Sequence, residues 1–230
     1  MDTGLYIAAS GMLAQQVRED QLANDLSNAS TPGYKSDSSV QSSFGSMLLA
    51  NTATGQPIGQ VNTGVKLGAP VTNVTPTTLH STGQPLDFGI AGQGFFAVRT
   101  PQGIRYTRDG QFQANAQGRL VDGQGNEVLS QNGAPIALSA QGTVPPSSLA
   151  VFNVTGVAKQ GDNYFTGAPG GRGTGTVKQG ELEDSSVDPV NTMVHMMTAM
   201  QTYQAGENAI QTINSTMQES ASSVASLRGG

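Results

Sequence analysis

The sequence predicts an elongated α+β protein whose N- and C-terminal helices pair as a coiled coil around a central antiparallel β domain. Apolar residues recur at spacings of three, four and seven at both ends of the 230-residue chain. Between them lies a glycine-rich middle of short alternating runs and turn residues. We expect five segments. They are an N-terminal helix and turn (1–35), an extended linker (36–82), the β domain (83–168), a flexible linker (169–187) and a C-terminal helix (188–230).

The first helix is predicted from Thr3 to about Ser30. Leu5, Met12 and Leu26 fit a sevenfold register, and polar residues follow the opposite face. The helix should stop at Thr31–Tyr34, where proline and glycine occupy the two central positions of a type II turn. Residues 36–82 are rich in Ser, Thr, Gly and Asn, which indicates extended structure.

The alternating pattern typical of β-strands begins near residue 83, where Leu86, Phe88 and Ile90 alternate with polar or small residues. Asp109-Gly110, between two short apolar runs, predicts a hairpin. Further turn signals, spaced as in a compact antiparallel sandwich or barrel, are Gln117-Gly118, Asp122-Gly123 and Asn132-Gly133.

The second helix is predicted to begin at Asp188-Pro189, an N-cap followed by proline at the first helical position, and to reach about Leu227. Its apolar stripe starts with Val190, Met193, Met197 and Met200, and then continues through Tyr203, Ile210, Met217 and Val224. A helix of ~38 residues is ~57 Å long. A compact chain of this length has a radius of gyration of only ~17 Å.

These lengths favour pairing of the two helices with each other. Both stripes are poor in Leu and Ile, so we expect neighbouring subunits to supply further contacts that order the ends. A stripe at helical spacing is more often simply core, and periodicity alone leaves both interpretations open.

Composition excludes several classes of function. Charged residues are 12% of the chain, the net charge is −5 and no basic cluster is present, which argues against nucleic acid and anionic membrane surfaces. Cysteine is absent, so disulfides and thiolate metal sites are excluded. No apolar run approaches the ~20 residues of a membrane span. The N-terminus lacks the basic region of a secretory signal peptide.

The sequence predicts no enzyme activity, cofactor or metal. His80 and His195 have no partner at zinc-binding spacing. The glycine-rich residues 170–175 lack the Lys-Ser/Thr ending of a phosphate loop, and no GxSxG elbow is present. Asp87 and Asp109 could be imagined as a carboxylate pair, but a turn or strand-edge role suffices for each.

Several motifs, in collinear order over nearly the whole chain, resemble the bacterial flagellar rod and hook protein family. The motifs are Leu22–Lys35 (LANDLSNASTPGYK), Gly83–Phe88 (GQPLDF), Gly92–Val98 (GQGFFAV), Tyr106–Phe112 (YTRDGQF), Gly118–Val121 (GRLV), Gln179–Glu183 (QGELE) and Ser186–Val190 (SVDPV).

The resemblance implies an exported axial subunit of the flagellar basal body that packs through its terminal helices into a tube around an export channel. Its partners would be further copies, other rod and hook proteins, the type III export apparatus and the surrounding rings. The predicted subunit-packing residues are Leu5, Met12, Leu22, Asn24, Leu26, Asn28, Pro32, Gly33, Tyr34, Val190, Met193, Met197, Met200, Ile210, Ile213 and Met217.

Within the family, Val61–Lys66 (VNTGVK) resembles the distal-rod branch, which we favour narrowly. The short segment after Leu138 and Val187–Val190 (VDPV) leave the proximal rod or another hook or rod axial protein as alternatives. A hypothesis of a different class is a cell-wall-associated β-sandwich binding protein. The absence of tryptophan and of a catalytic constellation counts against it.

Overall fold

A computed structural model of the chain describes residues 2–43, 45–50, 56–62, 64–161 and 163–227. Among these residues, two helices flank seventeen strands and one 3₁₀ turn, Pro146–Ser148. The helices are α1 (Asp2–Ser27) and α2 (Pro189–Leu227). The strands are β1 (Asp37–Ser38), β2 (Gln41–Ser43), β3 (Ser46–Ala50), β4 (Pro57–Asn62), β5 (Val65–Leu67), β6 (Val71–Thr72), β7 (Leu79–Ser81), β8 (Phe88–Ala91), β9 (Phe96–Thr100), β10 (Gly103–Thr107), β11 (Gln113–Ala114), β12 (Leu120–Val121), β13 (Glu127–Val128), β14 (Phe152–Lys159), β15 (Tyr164–Arg172), β16 (Thr176–Gln179) and β17 (Glu181–Glu183).

The chain forms two compact units. Of the described residues, the first unit contains 2–26, 189–227 and those of 38–71, and the second contains 27–37 and those of 72–188. Residues 36–82 and 169–187, expected as linkers, carry strands instead, including β16 and β17. The reason is that their polar backbone is paired in short ladders, such as β17 with β7.

In the first unit α1 and α2 pack against each other, as predicted. A Cβ at Gly4 would lie 3.6 Å from Ile213 Cδ1, and one at Gly206 would lie 2.7 Å from Met12 Cγ. Numbers rise along one helix as they fall along the other, so the pair is antiparallel. The residue numbers at one level add up to about 218, which fixes the register of the whole pair.

The buried and half-buried positions of α2 alternate at spacings of three and four, the pattern of a coiled-coil seam, and one series of half-buried positions of α1 has the same spacing. The α1 seam consists of Leu5, Ala8, Met12, Gln15, Glu19, Leu22 and Leu26. The α2 seam consists of Thr192, Met196, Ala199, Tyr203, Gly206, Ile210, Ile213 and Met217.

A second face of α1 packs on the antiparallel pair β2–β5. Val65 donates its backbone N–H to Ser10 Oγ at 3.3 Å, and Gln41 donates its amide to the Ala14 carbonyl at 3.4 Å. Ala14 is accordingly almost fully buried. The first helix therefore has two covered faces and one outer face.

The second unit is built on a seven-stranded antiparallel sheet in the order β11-β12-β13-β9-β10-β15-β14. Side chains of β9 alternate between two apolar clusters: Phe96 and Val98 enter one, and Ala97, next to Phe95, enters the other. Two further antiparallel pairs, β8–β16 and β7–β17, complete the unit. The expected sandwich or barrel is thus one large sheet with two small ladders.

The predicted turns near Gly118, Gly123 and Gly133 are present, but the Asp109-Gly110 hairpin is wrong. Strand β10 pairs with β9 and β15, whereas β11 pairs with β12. Gly110 instead accepts a backbone hydrogen bond from Phe88, and a Cβ there would meet the Phe88 carbonyl oxygen. Close backbone approach, not a tight hairpin, explains this glycine.

Within the described part of the chain, neither helix is long and apolar enough to cross a membrane.

Candidate functional site

The turn that follows α1 has the predicted geometry. Tyr34 donates its N–H to the Thr31 carbonyl at 3.2 Å, and Gly33 has φ = +66°. Asn28 supports the turn, because its carbonyl accepts the Thr31 N–H and its side-chain Oδ1 accepts the Thr31 hydroxyl. Pro32 fixes the approach to Gly33, so the chain reverses sharply here.

Immediately after the turn, Lys35 enters a fully buried cluster of three charges. Its Nζ lies 2.7 Å from Glu183 Oε1, and Arg108 Nη1 lies 2.9 Å from Glu183 Oε2. None of the three side chains is exposed. We call Lys35, Arg108 and Glu183 the buried triad. Lys35 directly follows the turn, Arg108 directly follows β10, and Glu183 is the last residue of β17.

The remaining polar atoms of the triad are largely hydrogen-bonded. Glu183 Oε1 also accepts the backbone N–H and hydroxyl of Thr77, and Lys35 donates to the Thr75 carbonyl at 2.8 Å. Arg108 donates to the Gly92 carbonyl at 3.0 Å, while its Nε is buried without a hydrogen-bond partner. Buried charges persist only when paired and hydrogen-bonded in this way.

Two cations share one anion in the triad, and burial is the main cause of the pKa shift of each cation. Burial lowers the pKa of Lys35, an effect that the hydrogen bond and charge of Glu183 oppose and that the Arg108 charge reinforces. Burial likewise lowers the pKa of Arg108, again opposed by Glu183. Glu183 is therefore the group that keeps both cations charged inside the fold.

Gly33 brings the turn against the backbone that presents Arg108. Its N–H donates to the Glu183 carbonyl at 2.8 Å, and a Cβ at this position would lie 2.4 Å from both the carbonyl carbon and oxygen of Arg108. Only glycine combines this contact with a positive φ. The glycine of the turn is thus required by packing as well as by turn geometry.

The β14–β15 hairpin covers the other side of the turn. Lys159 Nζ donates to the Lys35 carbonyl at 2.8 Å and lies 3.8 Å from the centroid of the Tyr34 ring. Asn163, with φ = +63°, donates its side-chain amide to the Pro32 carbonyl at 3.0 Å. Sequence analysis missed Lys159 and Asn163, because no local pattern connects them to residues more than 120 positions away.

The chain segments that lead into and out of the second unit are tied together. Ser186 donates its N–H to the Tyr34 carbonyl at 2.9 Å, and Ser36 donates its N–H to Ser186 Oγ at 2.7 Å. The buried triad adds the link between Lys35 and Glu183 beside them. We call these contacts together with the triad the clasp.

The predicted packing residues of the helices fall into two groups. One group lies along the seam, where its members are half-buried: Leu5, Met12, Leu22, Leu26, Ile210, Ile213 and Met217. The other group is exposed: Asn24, Val190, Met193, Met197 and Met200.

The exposed methionines correct the predicted course of the α2 stripe. Carried back from Tyr203, the sevenfold register leads to Met196, whereas the strongest apolar run, Met193 to Met200, lies on the outer face. Met193 is 50% exposed and Met197 is 56% exposed. The apolar stripe before Tyr203 therefore lies outside the seam, and the prediction that these residues pack between subunits stays a prediction.

A second outer stripe runs along α1, where Tyr6, Leu13 and Val17 are 62%, 58% and 40% exposed. Each stripe lies in a segment without Asp, Glu, Lys or Arg: residues 3–17 in α1 and residues 189–206 in α2. Contiguous exposed apolar surface of this kind is typical of protein interaction sites.

Asp109 is a half-buried carboxyl with a raised pKa. Burial raises its pKa to about 6, the Gln111 N–H opposes the shift, and the charges of Asp122 and Asp87 reinforce it. Because the folded-state pKa exceeds the usual 3.8, the stability that this carboxyl contributes is full at low pH and is lost as pH rises through about 6.

We expect Asp109→Asn to raise stability at pH 7.5 by up to about 3 kcal/mol and to have a smaller effect at pH 4.5. Asparagine keeps the Oδ1 acceptor for Gln111 but carries no charge. Thermal unfolding at both pH values measures the difference, with exposed Asp20→Asn as control. Equal changes in unfolding temperature at the two pH values would contradict a raised pKa for Asp109.

Over the described residues, no group of three or more His, Asp or Glu side chains could hold a metal ion.

Three family profiles match the chain, one after another. Residues 5–35 match the flagella basal body rod protein profile, residues 89–162 the flagellar hook protein FlgE/F/G D1 domain, and residues 178–223 the flagellar basal body rod FlgEFG protein C-terminal profile. The three members of the buried triad fall one in each matched segment. The clasp therefore joins the parts of the chain that the family profiles recognise.

Full-length relatives agree with the profiles. The chain is 32% identical to the flagellar basal-body rod protein FlgG of Borreliella burgdorferi, over 92% of the chain and 95% of that protein. It is 29% identical to FlgG of Bacillus subtilis, over 94% and 96%, respectively. It is also 29% identical to the flagellar hook-basal body complex protein FlhO of Bacillus subtilis, over 97% and 99%.

Proposed function

Since the chain belongs to the flagellar basal-body rod protein family, we propose that it is an axial subunit that polymerises through its terminal helices into the tubular drive shaft of the flagellum. The observation that carries this proposal is the pair of exposed apolar stripes on α1 and α2, each in a charge-free segment. The rod is a structural part of the basal body, and that is where the protein is located.

Within the rod we favour the distal section. The support is the Val61–Lys66 segment (VNTGVK), which resembles the distal-rod branch. A proximal-rod subunit or another hook or rod axial protein is the alternative, since Val187–Val190 (VDPV) resembles the proximal branch. The axial height of the labelled protein in electron micrographs of purified basal bodies separates the two.

The proposed partners are further copies of the chain and other rod and hook proteins. The same family role adds the type III export apparatus and the surrounding rings as proposed partners. The predicted packing residues have two different roles. The seam positions join α1 to α2 within a subunit, and the outer positions Val190, Met193, Met197 and Met200 contact neighbouring subunits.

We expect Met197→Lys to abolish incorporation into the rod without unfolding the chain. Met197 is exposed in the single chain, so lysine is tolerated there, but an unpaired ammonium buried between subunits costs on the order of 3 kcal/mol, about a hundredfold in association. Incorporation is measured by immunoblotting of purified basal bodies, and folding by circular dichroism.

The matched control is Thr198→Lys, one residue away on a different face of α2 and also exposed. It should incorporate as the unsubstituted chain does. Normal incorporation of Met197→Lys would rule out this face as an assembly surface, and absence of the unsubstituted chain from basal bodies would overturn the proposed function itself.

A further inference from the structure

The two outer stripes lie at different levels along the helix pair. Because residue numbers at one level add up to about 218, Met193 lies level with residue 25 of α1, whereas Leu13 lies 12 positions lower. At 1.5 Å per residue that is an axial offset of roughly 18 Å. Neither stripe can therefore cover the other within one chain.

Neither stripe faces the other helix of its own chain. At 100° per residue, each stripe is turned by about 130° from the seam of its own helix. One apolar surface is thus on the outside of α1 and another is on the outside of α2. A surface that differs from its complement makes a head-to-tail contact, which repeats from copy to copy and need not close.

The spacing of the two stripes matches when one of them is read in reverse. Along α1, Tyr6, Ala9, Leu13 and Val17 are separated by three, four and four residues. Along α2, Met200, Met197, Met193 and Val190 are separated by three, four and three residues. The reversal is what an antiparallel contact requires, and small Ala9 would oppose the long side chain of Met197.

We propose that the outer stripe of α1 in one copy packs on the outer stripe of α2 in a second copy displaced along the helix axis by roughly 18 Å. This stagger brings Tyr6 level with Met200, Leu13 with Met193 and Val17 with Val190. It aligns the charge-free segments 3–17 and 189–206 with each other, so no charge is buried in the contact. The inference rests on the proposed assembly function and specifies its geometry.

Cysteine pairs test the stagger directly, because the natural chain contains no cysteine. Two differently tagged full-length chains are co-expressed in the native cell, one with Leu13→Cys and the other with Met193→Cys, and basal bodies are purified and oxidised. We expect a disulfide-linked heterodimer on a denaturing gel. Pairing Leu13→Cys with Gln204→Cys is the matched control, since position 204 would face Leu13 in copies without a stagger.

The two arrangements are distinguishable because Met193 and Gln204 are roughly 16 Å apart along α2, whereas a disulfide needs Cα atoms within about 7 Å. A heterodimer with Gln204→Cys, or none with either partner although both chains are in the basal body, would overturn the stagger and leave the proposed function intact. If a cysteine variant fails to incorporate, the same test is made with Ala9→Cys in one chain and Met197→Cys in the other, because the stagger also places these two positions level. Absence of the cysteine-free chain from the basal body would defeat the proposed function instead.

Discussion

Replacing Glu183 with glutamine is expected to lower the free energy of unfolding of the second unit by about 3–5 kcal/mol. Glutamine has the shape of glutamate, so packing is unchanged and only the charge is removed. Lys35 and Arg108 then remain buried without their shared anion. The new amide N–H₂ also points donors at one of two groups that can only donate. Both effects act on side chains that water does not reach.

The measurement is urea unfolding followed by near-ultraviolet circular dichroism, since Tyr34 and Tyr106 are buried in this unit. Glu127→Gln is the control, because Glu127 pairs with Arg119 and Arg99, whose side chains are about half exposed. Exposed pairs contribute less than about 1 kcal/mol. Equal losses for the two variants would show that the triad is no more important than a surface ion pair.

The sequence predicted the elements whose signals are local. Helix α2 begins at Pro189, as predicted, because a capping residue and proline act within one turn of the helix, and it reaches Leu227, the predicted end. The turn at Thr31–Tyr34 was predicted for the same reason: proline and glycine restrict their own backbone. These signals do not depend on what the rest of the chain does.

The clasp could not be predicted in this way. Lys35, Arg108 and Glu183 stood in recognisable motifs, yet nothing local distinguishes a buried lysine from a solvated one. Their pairing joins positions 148 and 75 residues apart, so it follows only from the tertiary fold. A chain with only 11 Lys and Arg residues does offer one hint, since three of them, Lys35, Arg108 and Lys159, lie at this turn.

The coiled-coil pairing was predicted, but the course of the α2 stripe before Tyr203 was not. Hydrophobicity alone placed Met193, Met197 and Met200 in line with Tyr203, whereas the seam there runs through smaller residues. Ala199 and Gly206 occupy it, and a Cβ at Gly206 would already meet Met12. At Ala199 and Gly206 the two helices therefore approach closely, and Met193, Met197 and Met200 lie on the outer face of α2.

The second large effect is expected for Gly33→Ala, which should destabilise the second unit by at least about 2 kcal/mol more than Gly118→Ala. The two glycines have nearly the same backbone conformation, with φ of +66° and +68°, so the conformational cost of alanine, about 1–2 kcal/mol, is common to both. They differ in their surroundings. A Cβ at Gly118 meets nothing within 4 Å, whereas one at Gly33 lies 2.4 Å from the Arg108 backbone.

Backbone cannot move aside as a flexible side chain can, so the turn must shift away from β10 and pull Lys35 from Glu183. The same urea unfolding measurement compares the two variants. In a Lys35→Met chain, hydrogen exchange at the Gly33 N–H, which donates to the Glu183 carbonyl, reports whether the turn separates from β17. Similar losses for Gly33→Ala and Gly118→Ala would mean that the turn is held by its own conformation alone. A larger loss of stability for Gly33→Ala would show that glycine is required at this position because of its contact with Arg108, a member of the clasp.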